Sequence, residues 1–484
     1  MKALSSNPVD YLFYPDSVAV IGASPTPTKW GFRIFNRLIS SSPKATVYPV
    51  NHSADYILGH KAYPNLLAIP GPIDLAFIVV PEDSVPQLVQ ECVDKGVKAA
   101  VIITAGFKET GVEGARLESE VLSIARRGGL RLVGPNCNGH FNTATDLFTT
   151  GPRHIRPGPL ALISQSGNFG TYILERGIEK GTGFSKYVSS GNEADLTIED
   201  YLQYLAEDKE TKVICAYIEG IKDGRRFFEL AKHITKKKPV VVMKVGRTAE
   251  AARAVLSHTG SLAGSDAVHD AVFRQCGVIR VDEVDELLDV ALALIRQPLP
   301  RGKRVGIVTT GGGFGVVAAD ACRRHGLELP PLREETIQAL NKYLPPRWSH
   351  SNPVDMAGSF EGSYGCMGNL LKADYIDAVI AVGSLGVPSD FLDHSTATVG
   401  VDTQEYVKMM IEMELRFVDG LIERIDRHQK PLIITSPVGG VGGVKPPALA
   451  KLEENGIYHY QTPEEGSKVI SYLVRYAEYL GLTE

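Results

Sequence analysis

One histidine of the chain, His258, lies in a loop whose composition suits a phosphate site. The loop reads VLSHTGSLAGSD at residues 255–266 and shows neither the apolar spacing of a helix nor the alternation of a strand. Its hydroxyls, and the backbone N–H groups that a glycine-rich loop exposes, are typical ligands of phosphate. Beside an imidazole they suit a phosphorylated histidine better than a metal, so no metal site is predicted. The alternative is a loop histidine without a function.

Two further segments place polar residues where an apolar strand ends. SQSGNFG puts Ser164, Ser166 and Gly167 at the start of a predicted helix, where exposed amides favour an anion. Simple capping by the second serine is the alternative. VICAYIEG ends in Glu219, a carboxylate that either lies on the surface or orients a catalytic group. Because parallel strands end at one edge of a sheet, we expect these residues to converge with His258.

The elements that must position these residues follow an α/β pattern. Short apolar strands alternate with helical patterns, beginning with SVAVIGAS, and the alternation restarts at LALISQSG and again at KRVGIVTTGGGFG. This pattern predicts parallel, doubly wound sheets. We therefore predict three domains: a Rossmann-like domain over residues 1–150 and two flavodoxin-like domains over 151–300 and 301–484.

Small and polar residues follow the strands of the first domain, where doubly wound folds bind ligands. GASPTPTKWG is not GxGxxG, and the second strand ends in asparagine rather than the acid that binds a ribose diol, which argues against an NAD-dependent oxidoreductase. An adenine nucleotide with phosphates is favoured instead. Tight strand-to-helix packing explains Gly22 and Gly31 equally well. The candidate ligand-binding residues are Gly22, Ala23, Ser24, Lys29, Asn51, Val80, Pro81 and Thr104.

Charge and composition argue against several classes of function. A net charge of −5 gives no reason to expect nucleic acid or an anionic membrane as a partner. The six cysteines are scattered without a CxxC pair, so neither a disulfide framework nor a zinc site is predicted. The N-terminus does not read as a signal peptide, and no apolar run approaches the ~18 residues that span a bilayer. We expect a cytoplasmic protein.

Eight short motifs occur in the order found in a known family. GASPTPTKWG, PVN, VVP, GPNCNG, SQSGNFG, SSGNEADL, YIEG and SHTGSLAGSD resemble the α subunit of the NDP-forming acyl-CoA synthetases. The resemblance is to the ADP-forming acetyl-CoA synthetases in particular, with succinyl-CoA synthetase as a relative, and it covers essentially the whole chain. It implies a CoA-binding first domain and a second domain that carries a phosphorylated histidine.

The resemblance also implies roles for individual residues. His258 matches the histidine that takes the phosphoryl group, and Glu219 matches the acid that holds its imidazole. The first-domain candidates fall where the family holds CoA, and Asn136 lies in the GPNC turn near the thioester. We expect Cys137 in that turn to be structural, because no base is placed to activate it. The implied phosphate-binding residues are Ser164, Ser166, Gly167, Gly260 and Ser261.

The implied reaction is that of an acid–CoA ligase: acyl-CoA, ADP and phosphate give a carboxylic acid, ATP and CoA, through an acyl phosphate. The three domains account for the chain and leave no ATP-grasp module. ADP or ATP and Mg²⁺ are therefore expected on a separate β subunit, in an α2β2 assembly. TTGGGFG departs from the NAGGPG of the family, which puts direct contacts by that loop in doubt. A non-catalytic, CoA-binding regulatory protein is the alternative function.

Overall fold

The computed structural model describes residues 7–251, 253–254, 265–356, 362–385, 403–436 and 445–483. They form two compact units, 1–287 and 288–484. The predicted α/β class is confirmed, with two predominantly parallel sheets in the first unit and one parallel sheet in the second. The boundaries of the three domains stay a prediction. None of the helices in the described ranges has the length and apolar character needed to cross a bilayer.

Sheet 1 follows the short N-terminal helix α1 (Asp10–Phe13). Its strands are β1 (Ser17–Ile21), β2 (Thr46–Val50), β5 (Leu75–Ile78), β6 (Ala99–Ile102) and β7 (Arg131–Val133), and an antiparallel hairpin, β3 (Tyr56–Ile57) and β4 (His60–Lys61), precedes β5. The connecting helices are α2 (Trp30–Ser40), α3 (Val85–Lys95) and α4 (Val112–Arg127). The strand order is β2-β1-β5-β6-β7, all parallel.

This order creates a crevice at the carboxyl ends of the strands. Strand β1 lies between β2 and β5. The chain passes from β1 to β2 on one side and from β5 to β6 on the other, so the connections after β1 and β5 leave toward opposite sides. Doubly wound sheets bind ligands at such a point. Strands β5 and β6 are buried along their whole length, as parallel strands covered by helices must be.

Sheet 2 contains seven strands. They are β8 (His140–Asn142), β9 (Leu147–Phe148), β10 (Leu160–Ser164), β11 (Phe184–Ser189), β12 (Val213–Ile218), β13 (Val240–Lys244) and β14 (Ile279–Val281). The order is β14-β13-β12-β10-β11-β8-β9, in which β8 and β9 form an antiparallel edge that the alternating pattern does not predict. Its described helices include α5 (Gly167–Glu179), α6 (Ile198–Glu207), α7 (Gly224–Ile234) and α8 (Asp266–Gln275). Here the strand order reverses between β10 and β12.

The N-terminal helix α1 packs against residues of sheet 2 and of α6. The imidazole Nε2 of His140 lies 2.6 Å from the carbonyl oxygen of Leu12. The ring of Phe13 stacks on that of Tyr204, with centroids 5.3 Å apart. Burial lowers the pKa of His140 to about 4, against a smaller opposing effect of the bond to Leu12. The imidazole is therefore neutral near pH 7 and donates its Nε2 proton to that carbonyl.

Sheet 3 forms the centre of the second unit. Its strands are β15 (Val305–Thr309), β16 (Val354–Asp355), β17 (Ala378–Val382), β18 (Leu432–Thr435) and β19 (His459–Tyr460), in the parallel order β16-β15-β17-β18-β19. Helix α9 (Val284–Arg296) contains the boundary between the two units. The helices after it are α10 (Gly312–Arg324), α11 (Glu334–Leu340), α12 (Ser363–Lys372), α13 (Thr403–His428), α14 (Pro447–Glu454) and α15 (Pro463–Tyr479).

Candidate functional site

A cavity of about 940 Å³ opens at the carboxyl ends of sheet 1. Among the first-domain candidates, Ala23 is fully buried and supports the wall, where its carbonyl oxygen accepts the Nδ2 proton of Asn51 at 2.8 Å. The other candidates line the cavity: Gly22, Ser24, Lys29, Asn51, Val80, Pro81, Thr104 and Asn136. The strand-end positions are thus brought together in one place large enough for a nucleotide-sized ligand.

Packing requires both glycines near β1. A Cβ on Gly31 would lie 1.9 Å from the carbonyl oxygen of Gly22, and one on Gly22 would lie 2.1 Å from that of Val79. Gly22 also has a φ of +90°, a conformation that other residues rarely adopt. The packing explanation is therefore sufficient for these glycines, and ligand binding is not needed to account for them.

Several cavity residues were not among the sequence candidates. Two of them adjoin candidates in the chain, since Trp30 follows Lys29 and His52 follows Asn51. Such adjacency is the signal that could have identified them. Others come from the turn before β5, from the region of α3 and from the GPNCNG turn, and include Asn65, Glu82, Gln87 and Asn138.

Asn136 enters the cavity from a left-handed turn. Its φ is +56°, and its backbone N–H donates to the carbonyl oxygen of Thr104 at 2.9 Å. The hydroxyl of Thr104 in turn donates to the carbonyl oxygen of Val80 at 2.7 Å. These two hydrogen bonds connect the segments that follow β5, β6 and β7, and Asn136 lies at the end of this chain of contacts.

Asn192 fixes the orientation of the Asn136 amide from the loop after β11. Its Nδ2 donates to Glu109 Oε2 at 2.6 Å and to Glu118 Oε2 at 2.9 Å. The carboxylates can only accept, so the Oδ1 of Asn192 must face Asn136, whose Nδ2 lies 3.4 Å away. Lys222 donates to the carbonyl oxygen of Asn192 at 2.9 Å. The loop thus links the cavity to sheet 2.

Cys137 adjoins the cavity, and its surroundings support the structural role that the sequence predicts. Its side chain is buried, and its Sγ lies 3.3 Å from the carbonyl oxygen of Ile102, to which the thiol donates. Burial raises the pKa of the thiol to about 12. A thiolate nucleophile is therefore not available at neutral pH.

The first turn of α5 lies at the point where the strand order of sheet 2 reverses. Ser166 caps the helix, because its Oγ accepts the backbone N–H of Phe169 at 3.4 Å. Ser164 is fully buried and donates its hydroxyl to the carbonyl oxygen of Ser166 at 2.6 Å. The arrangement favours a supporting role for Ser164, beneath the amides at the helix start.

Gln165, between these serines, holds the backbone that carries Glu219. Its Oε1 accepts the N–H of Glu219 at 2.6 Å and that of Gly220 at 3.0 Å. Its Nε2 donates to the carbonyl oxygen of Gly220 at 2.8 Å. Sequence reasoning missed this residue, since a glutamine in a serine-rich turn reads as an ordinary polar loop residue. The contact depends on β10 and β12 being neighbours, which the sequence does not specify.

Glu219 itself is buried at the end of β12. Its carbonyl oxygen accepts the Nζ proton of Lys244 at 2.8 Å. Burial and the charge of Arg280 lower the pKa of Lys244 to about 8, although the carboxylates of Asp266 and Glu219 oppose the shift. Burial and the nearby Glu219 carboxylate raise the pKa of Tyr217. The acid therefore belongs to a buried, charged cluster.

His258, Gly260 and Ser261 lie outside the described residues. The strand that leads toward their loop is β13, whose last residue is Lys244, and the loop is followed by Asp266 at the start of α8. Although burial alone would raise it, ion pairing with Arg280 and Arg247 lowers the pKa of Asp266. Among the described candidates, sheet 2 brings the start of α5 and Glu219 to one edge.

The TTGGGFG loop borders a separate cavity of about 500 Å³ in the second unit. A Cβ on Gly312 would lie 3.1 Å from Oδ2 of Asp355. A carboxylate at the start of α10 occupies the place that an anion would take at a helix N-terminus. The departure of TTGGGFG from the family pattern puts direct contact of this loop with a nucleotide or a partner in doubt, and that expectation stays a prediction.

Three domain families match successive parts of the chain. They are a CoA binding domain over residues 16–143, a succinyl-CoA ligase-like flavodoxin domain over 157–294 and a ligase-CoA domain over 305–380.

Curated relatives match almost the whole chain. The α subunit of ADP-forming acetate–CoA ligase II from Pyrococcus furiosus is 42% identical over 98% of this chain and 99% of its own length. The α subunit of ligase I from the same organism is 39% identical over 97% and 98%. An ADP-forming acetate–CoA ligase from Methanocaldococcus jannaschii is 40% identical over 96% of this chain, which spans 63% of that longer protein.

Two solved structures have a similar fold. A Pyrococcus horikoshii OT3 protein shares 39% identity and a TM-score of 0.81, covering 98% of this chain and all of its own. The dinucleotide-forming acetyl-coenzyme A synthetase 1 of Candidatus Korarchaeum cryptofilum, in complex with phosphate and ADP, shares 34% identity and a TM-score of 0.83, covering 98% of both chains.

Proposed function

The chain belongs to the family of the ADP-forming acyl-CoA ligase α subunits, and from that membership we propose that it carries out the thioester half of their reaction. In the whole reaction, acyl-CoA, ADP and phosphate give a carboxylic acid, ATP and CoA. The observation that carries the proposal is that the cavity of sheet 1 adjoins the first turn of α5 within the first unit. The cavity of sheet 1 is lined by Asn138, whose amide contacts the first turn of α5.

CoA occupies the cavity of sheet 1 in this proposal. The volume of about 940 Å³ suits a ligand of that size, and the strand-end candidates line it. Lys29, at the N-cap position of α2, supplies a positive charge for CoA phosphates, and the start of that helix adds its dipole. Asn136 lies at the thioester end, held by Asn192.

Inorganic phosphate binds at the start of α5. The exposed amides of the first turn, from Gly167 onward, and the Ser166 hydroxyl are suited to its charge. A phosphate oxygen attacks the thioester carbonyl carbon; the C–O bond forms, the C–S bond breaks, and the sulfur takes the phosphate proton and leaves as the thiol of CoA. The product is an acyl phosphate. Positioning and amide dipoles dominate such a step.

His258 then takes the phosphoryl group. Its imidazole attacks phosphorus, the P–O bond to the acyl group breaks, and the carboxylic acid is released. The Gly260 and Ser261 amides and hydroxyl bind the phosphate oxygens, and Glu219 holds the imidazole in the tautomer that presents the attacking nitrogen. The phosphohistidine finally transfers its phosphoryl group to an oxygen of ADP, which regenerates the free imidazole.

The nucleotide half of the reaction belongs to a partner subunit in this proposal. The chain spans 63% of the longer relative from Methanocaldococcus jannaschii, which leaves room there for a further module. A separate β subunit with an ATP-grasp fold would bind ADP or ATP and Mg²⁺, in an α2β2 assembly. Mg²⁺ neutralises nucleotide phosphate charge when bound, and no residue of this chain is assigned to it.

Intact-mass spectrometry of the purified chain after incubation with acetyl-CoA and phosphate tests the proposal. We expect an acid-labile, base-stable phosphate adduct on the wild-type chain and none on His258→Ala. A matched control is His269→Ala, since this histidine lies in the next helix, half-buried, with Nδ1 3.1 Å from the carbonyl oxygen of Ser265. The adduct should persist in this control.

Repeating the incubation with the partner subunit and ATP separates two causes of a negative result. An adduct that forms only with the partner and ATP shows that His258 accepts a phosphoryl group and that the isolated chain does not complete the thioester half of the reaction. A His258 that stays unmodified under both conditions refutes the phosphohistidine route. ATP formation from acetyl-CoA by the chain alone would refute the division of labour between two subunits.

A further inference from the structure

Asn138, in the GPNCNG turn, borders both halves of the site. Its side chain lines the cavity of sheet 1. Its Nδ2 lies 3.3 Å from Oδ1 of Asn168 in the first turn of α5. A single amide therefore reaches from the cavity wall to the start of the helix.

The contact with α5 is tight. A Cβ on Gly167 would lie 2.3 Å from the Cγ of Asn138, so any side chain at position 167 would displace the amide. The backbone N–H of Asn138 donates to Oγ of Ser189 at 3.0 Å, which ties the turn to the end of β11. Both the main chain and the side chain thus hold Asn138 at the junction of the two sheets.

The side chains of the two preceding residues have other partners. The amide of Asn136 is hydrogen-bonded to Asn192, and the thiol of Cys137 donates to the carbonyl oxygen of Ile102. Asn138 both lines the cavity and contacts Asn168 of α5 through its amide.

The proposed reaction places the acyl group at that boundary. Phosphate attack requires the phosphate oxygen and the carbonyl carbon to approach within ~3–3.5 Å. With the thioester in the cavity and phosphate at α5, the reacting carbon lies beside the side chain that contacts both places. We propose that Asn138 contacts the acyl group of the thioester and donates its amide N–H to the carbonyl oxygen. This inference rests on the proposed function.

Two consequences follow from a contact of this kind. Negative charge develops on the carbonyl oxygen as phosphate attacks, so an amide N–H directed at it stabilises the transition state more than the ground state. Removal of one such donor typically lowers kcat by ~10²–10³. Asn138 also limits the space beside the acyl carbon, so its size helps to determine which acyl groups fit.

Two variants separate these effects. Asn138→Ala removes the donor and creates space, whereas Asn138→Asp keeps the size and removes the donor. Phosphate-dependent release of CoA from acetyl-CoA and butyryl-CoA is measured with the purified chain, together with its partner subunit where turnover needs it. We expect kcat for acetyl-CoA to fall by ~10² in both variants. The butyryl-to-acetyl ratio of kcat/KM should rise about 10-fold in the alanine variant only, about 1.4 kcal/mol.

Gln87→Ala is the matched control, because Gln87 lines the same cavity from α3. It should raise KM for both thioesters alike and leave their ratio unchanged. Calorimetric titration with CoA and thermal unfolding check that the Asn138 variants fold and keep CoA affinity within about 3-fold. If they do, and kcat and the acyl ratio stay within 3-fold of wild type, the inference is wrong. If the wild type releases no CoA from either thioester, the proposed function fails instead.

Discussion

Replacing Gln165 tests whether the acid at the end of β12 must be held from β10. The amide makes three hydrogen bonds to the backbone of Glu219 and Gly220, at 2.6, 3.0 and 2.8 Å. In Gln165→Met, a side chain of similar size, two N–H groups and one carbonyl lose their partner. A buried polar group without a partner costs about 1–3 kcal/mol. The N–H of Glu219 is buried, whereas the N–H and the carbonyl of Gly220 are only partly buried. The loss therefore lies within the range for one buried group, and its upper end of about 3 kcal/mol is a factor of about 100 in an equilibrium or a rate.

We expect that loss to be shared between stability and turnover. The assay is the complete ligase reaction with saturating acyl-CoA, beside urea unfolding of the same preparation. kcat should fall by up to about 100-fold while KM for acyl-CoA changes little, since Gln165 does not line the cavity of sheet 1, the proposed CoA site. A variant that folds and turns over within 3-fold of wild type would refute the positioning role.

Gln165→Glu adds a pH signature that a purely structural role would not give. Ionised, the new carboxylate still accepts both N–H groups but cannot donate to Gly220. It also faces Glu193, whose pKa burial raises to about 7 while hydrogen bonds from Ser190 and Gln165 oppose the shift. Protonated, it restores the donor. The activity of this variant relative to wild type should therefore rise as pH falls, and a flat ratio between pH 8 and pH 6 would contradict the argument.

Two further predictions concern stability. Because burial lowers the pKa of His140 to about 4 against about 6.5 when unfolded, the unfolded chain takes up a proton first as pH falls below 6.5. Stability should drop by about 2 kcal/mol between pH 7.5 and pH 5, and His140→Gln should remove most of that drop in urea unfolding; an equal drop in the variant would contradict it. Gly31→Ala should cost more than about 3 kcal/mol and weaken CoA binding, since its Cβ would clash with the carbonyl of Gly22. Gly224→Ala, which meets no atom within 4 Å, should leave the melting temperature and CoA affinity near wild type.

The fold could be predicted because local pattern and architecture agree. Apolar runs followed by glycine turns indicate parallel strands, and the three occurrences of that pattern, one start and two restarts, predict three sheets. The antiparallel strands β8 and β9 could not be found in the same way. They are three and two residues long, and the pairing of β8 with β11, on which β9 then adds, joins segments about 45 residues apart.

In the candidate site, too, residues that a local pattern identifies were predicted, and residues that depend on long-range contacts were not. Residues directly after strands were identifiable, because the fold class alone places them at one edge. Ala23 was assigned to the cavity because it falls at the carboxyl end of β1, yet it is fully buried and belongs to the hydrophobic core. Gln165, Asn138 and Asn192 were missed, since their roles depend on neighbours 30 to 83 positions away in the sequence. No local pattern carries that information.

The packing of α1 against residues that follow sheet 1 in the sequence has a consequence for synthesis on the ribosome. Sheet 1 is complete once β7 has emerged, at Val133, but Phe13 stacks on Tyr204 and the carbonyl of Leu12 is bound by His140. After β7 has been made, helix α1 must therefore wait for about seventy more residues before its aromatic surface is covered. We expect the nascent chain to expose that surface, to which chaperones can bind, until Tyr204 has been made.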